Sequence, residues 1–100
     1  MKNYYRQGEI LITPTDKIEG EKLNHLVLAE GEATNHMHEI VEGKATLYQA
    51  GLFMCLSVTS KEAKLAHPDH NTVTLPKGKY KIRIQKEYQP GEEKYRNVMD

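Results

Sequence analysis

Four imidazoles carry most of the chemistry that this sequence offers. His36 and His38 stand one residue apart, and His67 and His70 follow about thirty residues on, in a chain with five histidines and one cysteine. In an extended strand, residues two apart face the same way, so His36 and His38 project together with backbones about 6–7 Å apart. The pair at 67 and 70 brackets Pro68-Asp69. Proline fixes one backbone angle and aspartate favours tight turning, so this turn can aim both side chains at one point. Neutral imidazole nitrogens in such a grouping suit one divalent ion, with Zn, Fe, Mn and Ni all compatible. Glu39, Glu42 and Asp69 are the nearby carboxylates. Each is a candidate further ligand, an orienting partner for a ring, or a general base. His25 stands apart and reads as a strand-edge residue.

These side chains must be held by β-structure. Branched aliphatic residues at 8–13, ended by Pro14, predict a first strand, and 15–24 reads as a loop. Strands are expected at 25–30, 34–41, 45–49, 52–58, 63–66, 71–75 and 79–88. Turns are expected at 42–44, 50–51, 59–62 and 76–78, with a bend or bulge at Gly31-Glu32. In the last strand Tyr80, Ile82 and Ile84 alternate with Lys81, Arg83 and Gln85. Residues 92–100 form a charged tail with room for one helical turn. No window carries a sustained helical period. Eight or nine short strands with a turn every eight to twelve residues predict a single all-β domain, a small antiparallel barrel or jelly roll.

Bulk properties narrow the function. One hundred residues with 38% hydrophobic content make one small domain with a modest core. Formal net charge is zero, so overall electrostatics favours neither nucleic acid nor an anionic membrane. Lys77, Lys79, Lys81, Arg83 and Lys86 form a basic run. It reads as a solvated strand face, with phosphate contact as the rival reading. Tyr4, Tyr5 and Arg6 read as a loosely docked N-terminal stretch. Cys55 lies in an apolar segment and is expected to pack as a small core residue. The N-terminal stretch lacks an apolar run, which predicts no signal peptide, and no segment approaches membrane-span length. A cytoplasmic protein with a small-molecule ligand is expected, and oligomeric state stays open.

The first histidine pair also has a recognisable frame. Gly31, four residues, His36-Met37-His38, three residues and Glu42 resemble the first cupin motif, whose side chains bind one metal inside a jelly-roll barrel. Leu75-Pro76-Lys77-Gly78-Lys79 is similar to the PxG turn of the second. Where that motif continues to a histidine, this chain has Tyr80, Lys81 and Ile82. In a cupin-like site, His67 or His70 must therefore take that ligand's place.

A second likeness spans nearly the whole chain. Gln7 to Ile12, Leu28 to His38, His67-Pro68-Asp69-His70, Leu75 to Tyr80 and Gln85 to Tyr88 resemble a family of small bacterial and phage proteins without a settled function. Its members usually read like QGDVLL, GEVTGHxH, HEEH, LPxGxY and QREY. Here Asn35 stands for the usual glycine and Pro68-Asp69 for two glutamates. The resemblance implies that the four histidines belong together, and it implies no reaction. Two functions are compatible with all of this. One is a cupin-like metalloenzyme acting on a small polar substrate. The other is a non-catalytic accessory binding protein with a structural histidine cluster.

Overall fold

The computed structural model describes residues 4–30 and 36–85. The described residues are all β, with eight strands: β1 (Tyr5–Gln7), β2 (Ile10–Pro14), β3 (Glu21–Lys22), β4 (Val27–Glu30), β5 (Met37–Glu42), β6 (Ala45–Ala50), β7 (Phe53–His67) and β8 (His70–Ile84). All pairings are antiparallel and run β1-β2-β8-β7-β5-β4. β6 joins the same sheet beside the first half of β7 and carries β3 on its outer edge. Because β7 pairs with β6 in its first half and β5 in its second, the sheet curls into a half-barrel. The expected small antiparallel barrel is therefore present in open form.

The inner face follows simple alternation. Ile10 and Ile12 of β2, Leu47 of β6, Met54, Leu56 and Val58 of β7, and Tyr80 and Ile82 of β8 all point into one core. Ala63, Leu65 and Leu75 continue it at the other end. Burying such side chains is the main favourable term in a domain this small, at about 25 cal/mol per Å² of apolar surface. Cys55 is fully buried on the alternate face, where its sulfur accepts the Glu19 N–H at 3.5 Å. That contact shows residues near 19 covering the outside of the sheet.

The long hairpin β7–β8 corrects the sequence reading. Turns expected at 59–62 and 76–78 do not reverse the chain, and four expected short strands are two strands of 15 residues. The two segments lie opposite each other, with Val58 paired to Gly78 and Glu62 to Pro76. Three residues of β7 thus face one of β8, a bulge that bends both strands together. Inward residues change parity there, from Val58 to Ala63 on β7 and from Leu75 to Tyr80 on β8. Turn-forming composition is used for a corner within a continuous ladder. Lys44 accepts from the Thr59 and Ser60 amides, and the Tyr80 hydroxyl donates to Pro76 O at 2.7 Å across the bend. Gly43, at φ 96°, presses so close that an added Cβ would lie 2.4 Å from Glu62 O.

Smaller corrections follow the same logic. Tyr5 and Arg6, expected with Tyr4 as a loosely docked stretch, are part of the paired strand β1, with Tyr5 edge-on to Tyr80 at 6.1 Å. The loop at 15–24 contains β3. Ile84 is exposed although its face is otherwise inward. The bend at Gly31-Glu32 and the part of the last strand beyond residue 85 lie outside the described residues, as do the tail at 92–100 and Lys86.

Candidate metal centre

The site lies at the tip of the β7–β8 hairpin. His67 ends β7, Pro68 and Asp69 make the two-residue turn, and His70 opens β8 directly across from His67. β5 runs beside this end of β7, with Glu39 opposite Ala66. That register brings His38, inside β5, and His36, just before it, to the same tip.

The four rings gather. Centroids lie 4.2 Å apart for His38 and His67, 4.6 Å for His67 and His70, 5.8 Å for His38 and His70, and 5.9 Å for His36 and His67. The rings are tilted and stacked on each other. As they stand, no three His, Cys, Asp or Glu side chains among the described residues are set to hold a metal ion. Burial is graded across the cluster. His38 is enclosed, His36 and His67 are half-buried, and His70 is open to solvent.

Hydrogen bonds orient individual rings. Gln7, at the end of β1, is 2% exposed, and its amide nitrogen donates to Leu65 O and Asn71 O, both at 2.9 Å. Two carbonyl acceptors fix which end of the amide is which. The Gln7 oxygen must therefore accept from His38 Nδ1–H, at 2.8 Å. Neutral His38 then keeps its lone pair on Nε2. His67 is held the opposite way. The Asp69 backbone N–H donates to His67 Nδ1 at 3.0 Å, so the neutral ring carries its proton on Nε2. The Asp69 carboxylate also lies 3.5 Å from His36 Nδ1. His70 Nε2 packs over Gly8, which sits at φ 62°, and an added Cβ there would lie 2.8 Å from that nitrogen.

Electrostatics keeps the inner rings neutral. Burial first, then the neighbouring His67 and His70, lowers the pKa of His38 to about 4. His67 is also lowered by burial and by His70, against the raising effect of Asp69, with His36 lowering it further. Neutral imidazole is the form that binds metals.

Of the three candidate carboxylates, only Asp69 touches a histidine among the described residues. Glu39 follows His38 in β5 and so faces the other way, beside Val27 and Ala66. Glu42 is exposed at the far end of β5, about 13 Å along the strand from His38. Glu87 and Tyr88 lie outside the described residues. Gln7 is the site residue that sequence reasoning missed. The described part of the basic run lies along β8: Lys81 is 4.4 Å over the Phe53 ring, while Lys77, Lys79 and Arg83 are exposed.

A separate cavity of about 480 Å³ opens between β4 and β6. Leu23, Val27, Leu28, Ala29 and Met54 line it with His25, Glu30 and Gln49, and none of the four clustered histidines reaches it.

A family model described as a domain of unknown function, DUF8820, matches residues 6–85. The chain belongs to this family. The matched span includes Gln7 and all four clustered histidines. No curated protein and no solved structure matches the chain.

Proposed function

We propose that this is a small divalent-metal-binding protein, cupin-like in its site, with one ion held among His36, His38, His67 and His70. The observation that carries the reading is the gathering of four imidazoles from two distant segments, with neighbouring centroids 4.2–5.9 Å apart. The burial that keeps His38 uncharged supports it. A bound divalent ion, whether Zn, Fe, Mn or Ni, would supply Lewis-acid polarisation of an oxygen ligand.

In the catalytic form of this proposal, the exposed side of the cluster at His70 admits a small polar substrate. The His38 end, closed by Gln7, excludes water. Asp69, whose carboxylate lies 3.5 Å from His36 Nδ1, is the candidate general base in that form. The proposal includes a bacterial or phage source and a cytoplasmic location. Motifs such as His67-Pro68-Asp69-His70 support the first. No helix among the described residues is long and apolar enough to cross a membrane, which says nothing of strands.

A second reading, a non-catalytic accessory binding protein, is favoured by one observation. Gln7 ties β1, β5, β7 and β8 together through His38, Leu65 and Asn71. That network is also what a purely structural cluster needs. Metal analysis of protein expressed in supplemented medium tests the proposal. Stoichiometric metal in the wild type, lost in His36→Ala combined with His38→Ala, is expected. Absence of stoichiometric metal in the wild type sinks it.

A further inference from the structure

We propose that the outer face of the half-barrel binds single-stranded nucleic acid, with Arg6, Lys81 and Arg83 on its phosphates and Phe53 against a base. This goes beyond the metal-binding reading and does not depend on it. The face lies behind the core, in the half of the β7–β8 hairpin away from the histidine tip.

Alternation and register assemble the face. Ile12, Met54 and Ile82 point into the core, so their strand neighbours Leu11, Phe53, Lys81 and Arg83 point outward. Arg6 of β1 pairs with Leu11 of β2, and Leu11 pairs with Arg83 of β8. Met54 pairs with Ile82, so Phe53, one residue before the first, falls opposite Arg83, one residue after the second. One row across four strands thus reads Arg6, Leu11, Arg83, Phe53. Lys81 stands in the next row, about 7 Å along β8 from Arg83. Its ammonium lies 4.4 Å over the Phe53 ring, which places both side chains on one face.

Among the described residues, no carboxylate neutralises these cations. The ion pairs there are His36 with Asp69 and Lys64 with Glu62, both in the other half of the sheet. The Arg6 guanidinium donates instead to the neutral side chain of Gln85 at 2.7 Å. Glu39 and Glu42 lie on β5, Glu62 at the corner and Asp69 at the tip. Glu9 bounds the patch at one end, and Asp16 and Glu19 bound it where the chain crosses over Cys55. A formal net charge of zero therefore hides a local excess of positive charge.

This chemistry selects the occupant. Arg6 and Arg83 stand two strands apart, about 10 Å, so the cations track a polyanion and are too spread to grip one small anion. Phe53 is half-buried and offers a ring face beneath Lys81, which suits stacking and not insertion into a bilayer. Bases reach such a ring only when unpaired, which favours a single strand over a duplex. Lys81 leaves the ring as it takes a phosphate, a small loss for a cation–π pair at the surface.

Fluorescence anisotropy of a labelled oligothymidylate of about twelve nucleotides, titrated with the full chain in EDTA, tests the proposal. Binding is expected to fall with salt at a log–log slope of about −2, as three phosphate contacts on a single strand require. Arg6→Ala and Arg83→Ala, both at exposed positions, should each weaken it roughly fivefold and take about 0.7 off the slope. Phe53→Leu should weaken it by a similar factor with the slope unchanged, because stacking releases no counterions. Lys61→Ala, exposed at the corner, should leave binding as it is. An unchanged anisotropy at low salt overturns the proposal. So does tighter binding to the matching duplex, or a loss in Lys61→Ala equal to that in Arg83→Ala. Binding to phosphatidylserine vesicles but not to the oligonucleotide marks a lipid surface and overturns it as well. Full affinity in folded Phe53→Leu, checked by circular dichroism, overturns the stacking role. Should that variant not fold, the two arginine variants against Lys61→Ala decide. None of these failures touches metal content, so they are distinct from a failure of the metal-binding reading.

Discussion

The two halves of the β7–β8 hairpin are built from the same ladder and do different work. Between Phe53 and Val58, inward positions are Met54, Leu56 and Val58, facing Tyr80 and Ile82 of β8. Between Ala63 and His67, the apolar run gives way at the tip to His67 and His70. The first half is held by area removed from water, which is nondirectional and tolerant. The second also buries Ala63, Leu65 and Leu75, and adds at its tip hydrogen bonds to buried groups, which are modest when made and costly when left unmade. Truncations should therefore lower stability alone in the first half, and alter stability and binding together at the tip.

The largest expected effect tests the first half. Leu56 is fully buried in the core. Leu56→Ala should cost about 3–4 kcal/mol through lost transfer energy and the cavity left behind. Urea denaturation measures it. Metal content of the folded fraction should stay at the wild-type value. A variant that loses its metal while folded would show that the halves are coupled through the core.

Gln7→Leu tests the tip. It removes two donors from Leu65 O and Asn71 O and the acceptor from His38. A cost of about 2–3 kcal/mol is expected, since buried groups lose their partners. Metal affinity should fall by roughly 10–100-fold, as is usual when an orienting partner is removed. If stability falls without any change in affinity, Gln7 is purely structural. That outcome favours the non-catalytic reading.

Acid sharpens the same contrast without a mutation. The unfolded chain takes up a proton on His38 near 6.5, whereas the folded chain resists until about 4. Below 6.5 the unfolded state binds more protons, so stability falls as pH falls through that window. The metal-free protein should lose about 2 kcal/mol between pH 7.5 and pH 5, read as a lower urea midpoint. His38→Asn should flatten most of that slope. An unchanged midpoint in the wild type would mean that His38 is not enclosed in solution.

The sequence made the tip more legible than the corner. Pro68-Asp69 is a local signal, and the turn it predicts is present as a two-residue hairpin, with both rings at one place. The strand spacing puts His36 and His38 on one face, while the β5–β7 register that brings them to this tip is nonlocal. The corner misled because Thr59-Ser60-Lys61-Glu62 and Pro76-Lys77-Gly78 have the composition of turns. Whether such a stretch reverses a chain or bends a paired strand depends on what lies opposite, and pairing is nonlocal. Gln7 was hidden for the same reason. Its acceptors are 58 and 64 residues away, and no short-range pattern marks a glutamine that will meet them. Tyr5 and Arg6, expected with Tyr4 as a loosely docked stretch, carry no strand pattern of their own, yet both lie in β1.

The smallest effect expected is at the corner, where the two halves join. The Tyr80 hydroxyl donates to Pro76 O at 2.7 Å, and its ring lies against Tyr5. Tyr80→Phe keeps the ring and removes one hydrogen bond, so about 1 kcal/mol should be lost at neutral pH. The change has a second signature. Burial first, and Tyr5 second, raises the Tyr80 pKa above 10.0. Above that pH the unfolded tyrosine gives up its proton while the folded one holds it, so stability falls as pH rises. Tyr80→Phe should show a shallower alkaline fall than the wild type. If both fall equally, the hydroxyl is not enclosed, and the bend between the core half and the histidine half is held by the Gly43 contact and the bulge alone.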